Sequence, residues 1–186
     1  FLQQQLAPKV GPILEIPHHL EAFHEYANIP SSLENVARLS MPFRYHPSMG
    51  MHVADHQGAH YYTIGQRKGL HIGGRPEPSF VLSTDTRENV IYSGQSETHP
   101  GLYRRALKLE NNEINWIQKI PAELLQQGVA CSVRIRYRQA LQKALLIEQD
   151  KTFYILFEQP QRGITPGQFA AWYFQDELIG SGIIAA

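Results

Sequence analysis

The last third of this 186-residue chain constrains the fold most, because it reads as short strands separated by very short turns. Apolar and polar residues alternate along Val129–Arg136, which places Cys131, Val133 and Ile135 on one face of a strand. This alternation indicates a strand that packs one face against a core and presents the other to solvent.

Two hairpins follow that strand. Gln149-Asp150-Lys151 joins strands at Lys143–Glu148 and Thr152–Phe157, and Gln175-Asp176 joins strands at Phe169–Phe174 and Glu177–Ile183. Successive antiparallel strands at this spacing predict a small closed or nearly closed barrel. Further strands at Leu102–Leu109 and Ile114–Ile117, and one helical turn at Pro121–Leu125, complete the predicted barrel domain over residues 101–186.

Residues 1–100 predict a smaller, irregular α+β domain, so the fold class is mainly β. Six prolines interrupt the first 50 residues. Short helices are expected at Leu20–Tyr26 and from Ser31-Ser32, whose hydroxyls can cap it, to about Leu39. Strands are expected at Tyr61–Ile64, Phe80–Ser83 and Val90–Ser93, and Pro100-Gly101 is a natural boundary.

The amino-acid composition excludes several kinds of protein. Lys+Arg 17 against Asp+Glu 17 argues against a globally basic nucleic-acid binder, although a local basic face remains possible. The single cysteine, Cys131, excludes an internal disulfide and favours a reducing, cytoplasmic setting. No apolar run approaches the roughly 18 residues of a membrane span. Because the chain opens with Phe1, we expect it to be a piece of a longer polypeptide.

The segment His56–Gly74 combines an amide, two cations and several glycines, which is typical of a loop that grips an anionic polymer. We predict that Gln66, Arg67 and Lys68 contact RNA. The sequence gives weaker support to a phosphate loop or a metal site. The segment from Leu70 to Gly74 lacks the residues of a phosphate loop, and Gly58 argues against a helix that would align His52, His56 and His60 on a metal.

Two further segments indicate a binding surface. Arg134, Arg136 and Arg138 would share one strand face, with Tyr137 beside them to stack on a base. The turn at Pro166-Gly167 can present Gln168 to a partner. A solvated barrel face and a simple loop are the alternatives for these segments. Cys131 lies on an apolar strand face, which favours a core residue over a nucleophile.

Taken together, a series of short motifs resembles the tRNA-specific 2-thiouridylases, in the order of that family and to its C-terminal end. The motifs are His56-Gln-Gly, Tyr62-Thr-Ile-Gly-Gln-Arg-Lys-Gly-Leu70, Gly73-Gly74, Glu77-Pro78, Asn89-Val-Ile-Tyr92, Gly94-Gln95, His99-Pro100, Leu102-Tyr103, Arg136-Tyr-Arg-Gln139, Glu158-Gln-Pro-Gln-Arg162, Thr165-Pro-Gly-Gln168 and Gly180-Ser-Gly-Ile-Ile184. The resemblance covers Val53 to Ala186, and more loosely Phe1–Ile16.

The resemblance implies a three-part enzyme whose central domain and elongation-factor-like C-terminal barrel correspond to this chain. In the family, an N-terminal domain binds ATP through a Ser-Gly-Gly-Val-Asp-Ser-type loop, adenylates the wobble uridine of tRNA, and two cysteines deliver persulfide sulfur. That loop and a second cysteine are absent from these 186 residues, so we expect no catalytic residue here. The family places RNA contacts at Arg136, Tyr137 and Gln168.

Residues 16–55 depart from the family pattern, where a short hairpin is usual. This insertion leaves two hypotheses open. The chain is the tRNA-binding portion of the enzyme, inactive alone, or it is a structural scaffold whose insertion docks a protein partner such as a sulfur carrier.

Overall fold

The structure is a computed structural model that describes residues 8–186. Contacts divide the described chain into two compact units. Unit 1 comprises residues 8–27 and Phe43–Tyr103, and unit 2 comprises Asn28–Pro42 and Arg104–Ala186. Among the described residues, no helix is long and apolar enough to cross a membrane.

Unit 1 is a four-stranded sheet with the order β2-β1-β4-β3. The strands are β1 (Gly11–Glu15), β2 (Met51–His56), β3 (Ser79–Asp85) and β4 (Val90–Gln95). β1 pairs parallel with β4 and antiparallel with β2, while β3 and β4 form an antiparallel pair. Helix α1 (Glu21–Ala27) follows β1.

Both faces of this sheet are covered, as the alternation of its strands requires. Phe80 and Leu82 of β3 pack with Phe23 of α1 on one face. Val81, between them, packs on the other face in a cluster that includes Leu70. The loop from residue 57 to residue 78 therefore covers one face of the sheet with Ala59 and Leu70, and apolar burial holds it there.

Two buried histidines cross-link unit 1 in the same way, and each begins a His-x-Gly sequence. The His56 Nδ1 accepts from the Gly58 N–H at 2.9 Å, so Nε2–H donates to the Asn89 carbonyl at 3.1 Å. His99 repeats the arrangement with the Gly101 N–H at 3.1 Å and the Ile16 carbonyl at 3.1 Å. Both imidazoles are fully bonded as the neutral tautomer.

Unit 2 is a closed six-stranded barrel in the order β10-β5-β8-β7-β6-β9. Its strands are β5 (Tyr103–Trp116), β6 (Val129–Arg134), β7 (Gln142–Gln149), β8 (Thr152–Arg162), β9 (Phe169–Phe174) and β10 (Glu177–Ile184), with helix α3 (Ala122–Gln127) before β6. Trp172 is fully buried at the centre of the core. A Cβ on Gly180 would lie 2.7 Å from its ring, so only glycine fits there.

The segment Asn28–Pro42 packs with the barrel in unit 2. It contains a 3₁₀ turn (Leu33–Asn35) and helix α2 (Val36–Ser40), which packs against β8. The buried Arg104 guanidinium donates to the carbonyls of Ser40 at 2.6 Å and Ile164 at 2.9 Å. Part of the insertion at residues 16–55 is thus a component of the barrel unit.

The predicted mainly β fold with a C-terminal antiparallel barrel is confirmed, including both hairpins. The strand predicted at Tyr61–Ile64 is wrong, because a 3₁₀ turn at Ala59–Tyr61 leads into loop there. The two strands predicted from Leu102 to Ile117 form the single strand β5. The predicted serine cap is also wrong, since the Ser32 hydroxyl accepts from the Asn35 side chain at 3.1 Å instead.

Acid should destabilise unit 1 through His99. Burial lowers the pKa of His99 from 6.5 to about 4, against the opposing hydrogen bond to Ile16. Because the folded pKa lies below the unfolded one, the stabilisation is complete above pH 6.5 and is lost as pH falls toward 4. We expect this group to cost about 2 kcal/mol of unfolding free energy between pH 7.5 and pH 5.

Urea unfolding at the two pH values tests this. A His99→Gln variant should lose less unfolding free energy between pH 7.5 and pH 5 than the wild type. His24 is exposed, so the His24→Gln control should lose as much as the wild type. The His99 ring-proton resonance should titrate near pH 4; titration near pH 6.5 would contradict the assignment.

Candidate nucleic-acid interface

A pocket of about 570 Å³ opens on the outer wall of the barrel, where β6 ends and β9 begins. We call it the bend pocket. Its lining residues come from the end of β6, from the bend that follows, and from β9 with the turn before it: Arg134, Ile135, Arg136, Tyr137, Gln168, Phe169, Ala171 and Tyr173. Three of the residues predicted to contact RNA, Arg136, Tyr137 and Gln168, therefore meet at one site.

A chain of glutamine side chains shapes the bend. The Gln139 Oε1 accepts from the Ile135 N–H at 3.1 Å, and its Nε2 donates to Gln161 Oε1 at 2.8 Å. The buried Gln161 continues to Gln142 Oε1 at 3.3 Å. These bonds end β6 at Arg134, so the prediction of three arginines on one strand face is wrong: Arg136 and Arg138 lie in the bend.

The Arg136 side chain is fixed by a hydrogen bond to a main-chain carbonyl. Its guanidinium donates to the Gly163 carbonyl at 2.9 Å. Burial lowers the pKa of Arg136, and the positive charge of Arg162 lowers it further. An anion at the site would relieve this repulsion between cations, which is the electrostatic condition for binding a phosphate group.

The turn before β9 is set by Gly167. Gly167 has φ 81°, and the Gln168 N–H donates to the Thr165 carbonyl at 3.3 Å, as in a type II turn. The Thr165 hydroxyl donates to the Gly163 carbonyl at 3.0 Å, the same oxygen that Arg136 contacts. Gly163 therefore ties the bend to the turn.

Two buried atoms at this site have no hydrogen-bond partner among the described residues: Arg134 Nε and Gln168 Oε1. Both side chains line the bend pocket. Among the described residues that line it, Arg134 and Arg136 carry charge and none is a carboxylate. The pocket is therefore a positively charged recess, and these two unpaired polar atoms lie beneath its surface.

Gln66, Arg67 and Lys68 lie in the loop of unit 1 that runs from residue 57 to residue 78. The Gln66 amide is bonded at both ends, accepting from the Thr63 N–H at 3.1 Å and donating to the Lys68 carbonyl at 2.8 Å. Gln66 thus shapes the loop. The side chains of Arg67 and Lys68 are exposed and available to a ligand.

The remaining candidate groups of the sequence are structural. Cys131 is buried in the barrel core, and burial raises its pKa to about 12, so the thiol stays protonated. His52 and Asp55 form an exposed pair at 2.9 Å. Gly73-Gly74 leads toward β3 with no helix between them, so this loop ends in a strand and not at a helix N-terminus, which is a common site for phosphate groups.

Phe169 and Tyr173 are lining residues that the sequence analysis missed. They share the outward face of β9 with Ala171, while Ala170 and Trp172 point into the core. The available signal was the alternation along Phe169–Phe174, which places an aromatic residue on the solvent face directly after Gln168.

Comparison with known proteins gives two family matches. Residues 106–184 match the Aminomethyltransferase beta-barrel domain, and residues 45–95 match the tRNA methyl transferase PRC-barrel domain. The tRNA-specific 2-thiouridylase of Christiangramia forsetii is 46% identical over 186 residues, which is 100% of this chain and 47% of that protein. That of Flavobacterium johnsoniae is 43% identical over 186 residues, again 100% of this chain and 47% of the relative.

These matches, with the four-stranded sheet and the closed barrel, define the class as the PRC-barrel and beta-barrel domains that the two family models describe. The chain belongs to the tRNA-specific 2-thiouridylase family. It spans about half the length of the curated relatives that it matches. The resemblance drawn from the motifs is confirmed.

The buried thiol yields a direct test. At pH 8 a group with a pKa of about 12 is almost entirely protonated, so folded Cys131 should resist iodoacetamide. Intact-mass measurement should show essentially no adduct on the folded chain after an hour and one adduct in urea. Rapid labelling of the folded chain would contradict the placement in the core.

Proposed function

We propose that this chain is the tRNA-binding portion of an enzyme that 2-thiolates the wobble uridine of tRNA with ATP and persulfide sulfur. The observation that carries the proposal is the convergence of Arg136, Tyr137 and Gln168 on one basic pocket. These side chains come from two loops that lie about 30 positions apart in the sequence and are tied together at the Gly163 carbonyl.

The chemistry of the pocket suits RNA. A guanidinium recognises phosphate through its planar donors, and Tyr137 is 90% exposed beside it, where a base could stack. Arg67 and Lys68 are proposed as a second, separate set of phosphate contacts on unit 1. The zero net charge of the chain is compatible with such local basic sites.

We assign the chemical steps to residues outside this chain. Its single cysteine is a protonated core residue, and its glycine-rich loop lacks the residues of a phosphate loop. ATP and a sulfur-carrier protein are accordingly proposed as ligands of the full-length enzyme, in the cytoplasm, and the isolated chain is expected to have no thiolation activity.

The packing of the insertion favours a second role as a scaffold. Val36 and Leu39 of α2 are fully buried in unit 2, so this part of residues 16–55 stabilises the barrel. Docking of a sulfur carrier remains part of this alternative. Binding of a purified sulfur-carrier protein to the chain, unaffected by ribonuclease, would favour it.

Binding of tRNA should depend on salt and on the bend pocket. We expect the chain to bind unmodified tRNA with an affinity that falls steeply between 50 and 200 mM salt. The Arg136→Ala, Gln168→Ala double variant should bind about 10-fold more weakly, with a salt slope lower by about 1 because a phosphate contact is lost. Filter binding at several salt concentrations measures both quantities.

Arg87→Ala is the matched control, because Arg87 is an exposed arginine in the β3–β4 turn of unit 1. It should bind like the wild type. No binding at 50 mM salt, or equal losses in the control and the double variant, would refute the proposed role.

A further inference from the structure

We propose that Tyr62 and Gln66 are positioning residues for RNA binding, because they fix the part of the unit 1 loop that carries Arg67 and Lys68. We call residues 66–69 the loop tip. This inference rests on the proposed function, in which Arg67 and Lys68 contact phosphate groups of tRNA. It adds how an exposed loop keeps two neighbouring cations ready for the same stretch of RNA backbone.

Two consecutive main-chain carbonyls of the loop tip are bonded to side chains of the loop itself. Gln66 Nε2 donates to the Lys68 carbonyl at 2.8 Å, and the Tyr62 hydroxyl donates to the Gly69 carbonyl at 3.1 Å. Gln66 Oε1 is also engaged, since it accepts from the Thr63 N–H at 3.1 Å. The tip therefore presents cations to solvent, while these two partly negative oxygens already have partners.

Tyr62 connects the loop tip to the core of unit 1. Its half-buried ring packs against the cluster that includes Leu70 and Val81, and it meets the His56 ring edge-on at a centroid distance of 5.8 Å. Burial raises the pKa of Tyr62 above 10, so the hydroxyl keeps its proton and remains a donor at neutral pH. The bond to the Gly69 carbonyl is thus made by a side chain whose own position is fixed by packing.

The residues on either side of the tip are attached to the sheet. Before it, the Gly65 N–H donates to the Val81 carbonyl at 2.7 Å, and the Val81 N–H donates to the Gln66 carbonyl at 2.9 Å. After it, the Leu70 side chain is 3% exposed. Between these anchors Gly69 has φ 84°, and glycine allows the chain several conformations there. The bonds from Tyr62 and Gln66 select one of them.

A fixed tip matters because its two charges have the same sign. Arg67 and Lys68 are exposed neighbours, and neither forms an ion pair with another described residue. In a flexible loop, repulsion would drive the two cations apart, and binding would have to order the loop again. A tip that is already ordered offers both cations to the RNA backbone without that loss of entropy.

Filter binding of unmodified tRNA to the whole 186-residue chain at 50 mM salt tests the inference. Tyr62→Phe and Gln66→Met each remove a bond to the tip and keep the bulk of the side chain, so each should weaken binding about 3-fold. The Arg67→Ala, Lys68→Ala double variant should bind about 10-fold more weakly. In that double variant, adding Tyr62→Phe should cause no further loss, because a positioning residue acts through the cations that it positions.

Tyr103→Phe is the matched control, because the Tyr103 hydroxyl donates to the Glu97 carbonyl at 2.9 Å in the same unit but outside the loop. It should bind tRNA like the wild type. Trypsin gives a second readout, since it cleaves after Arg67 and Lys68. Tyr62→Phe should be cut there about 5-fold faster than the wild type, with the melting temperature unchanged, because the tip is less ordered.

The outcomes separate the inference from the proposed function. If the wild type does not bind tRNA, both fail. If it binds and the Arg67→Ala, Lys68→Ala variant binds equally well, the proposed function stands on the bend pocket and the inference is overturned. The inference is also overturned if Tyr62→Phe weakens binding as much without the two cations as with them, if Tyr103→Phe has the same effect, or if trypsin cuts Tyr62→Phe no faster than the wild type.

Discussion

The pairing of β6 with β9 is the contact on which the candidate site depends. These strands lie far apart in the chain, and their register sets Val133 opposite Trp172 and Arg134 opposite Ala171. The inward pair belongs to the core, and the outward pair lines the bend pocket. Because a shift of one residue would exchange the two faces, burial of Trp172 also fixes the position of Arg134. The binding surface is therefore a consequence of core packing.

Unit 1 is an open sheet, and buried hydrogen bonds of two histidines hold its loops in place. His56 and His99 each accept from a glycine N–H two residues ahead and donate to a carbonyl far away in the sequence. A Cβ on Gly94 would lie 2.5 Å from the His99 ring, so that strand must present glycine to the imidazole. Of the histidines that the sequence analysis considered as metal ligands, His56 thus serves to hold a loop on the sheet.

The strands joined by short turns could be predicted, because both the alternation of apolar and polar residues and the turn sequence involve only neighbouring residues. The β7–β8 turn has positive φ at Asp150 and Lys151, which matches a tight hairpin. The loop at Tyr61–Ile64 was not predictable from its strand-like composition, because its conformation follows from burial of Ala59 and Leu70 against distant strands. Arg136, Tyr137 and Gln168 were indicated by the residue pattern and by the family resemblance, whereas Phe169 becomes a site residue only once the barrel brings β9 beside the bend.

The route of the chain makes the barrel a discontinuous unit. It enters unit 2 at Asn28, leaves after Pro42, and returns at Arg104. A fragment starting at residue 101 would lack α2, and the buried Arg104 would lose the Ser40 carbonyl that accepts its hydrogen bond. A barrel cut out as one uninterrupted block would therefore lose part of its own packing. During synthesis on the ribosome, residues 28–42 must wait for the last strands to emerge before they find their place.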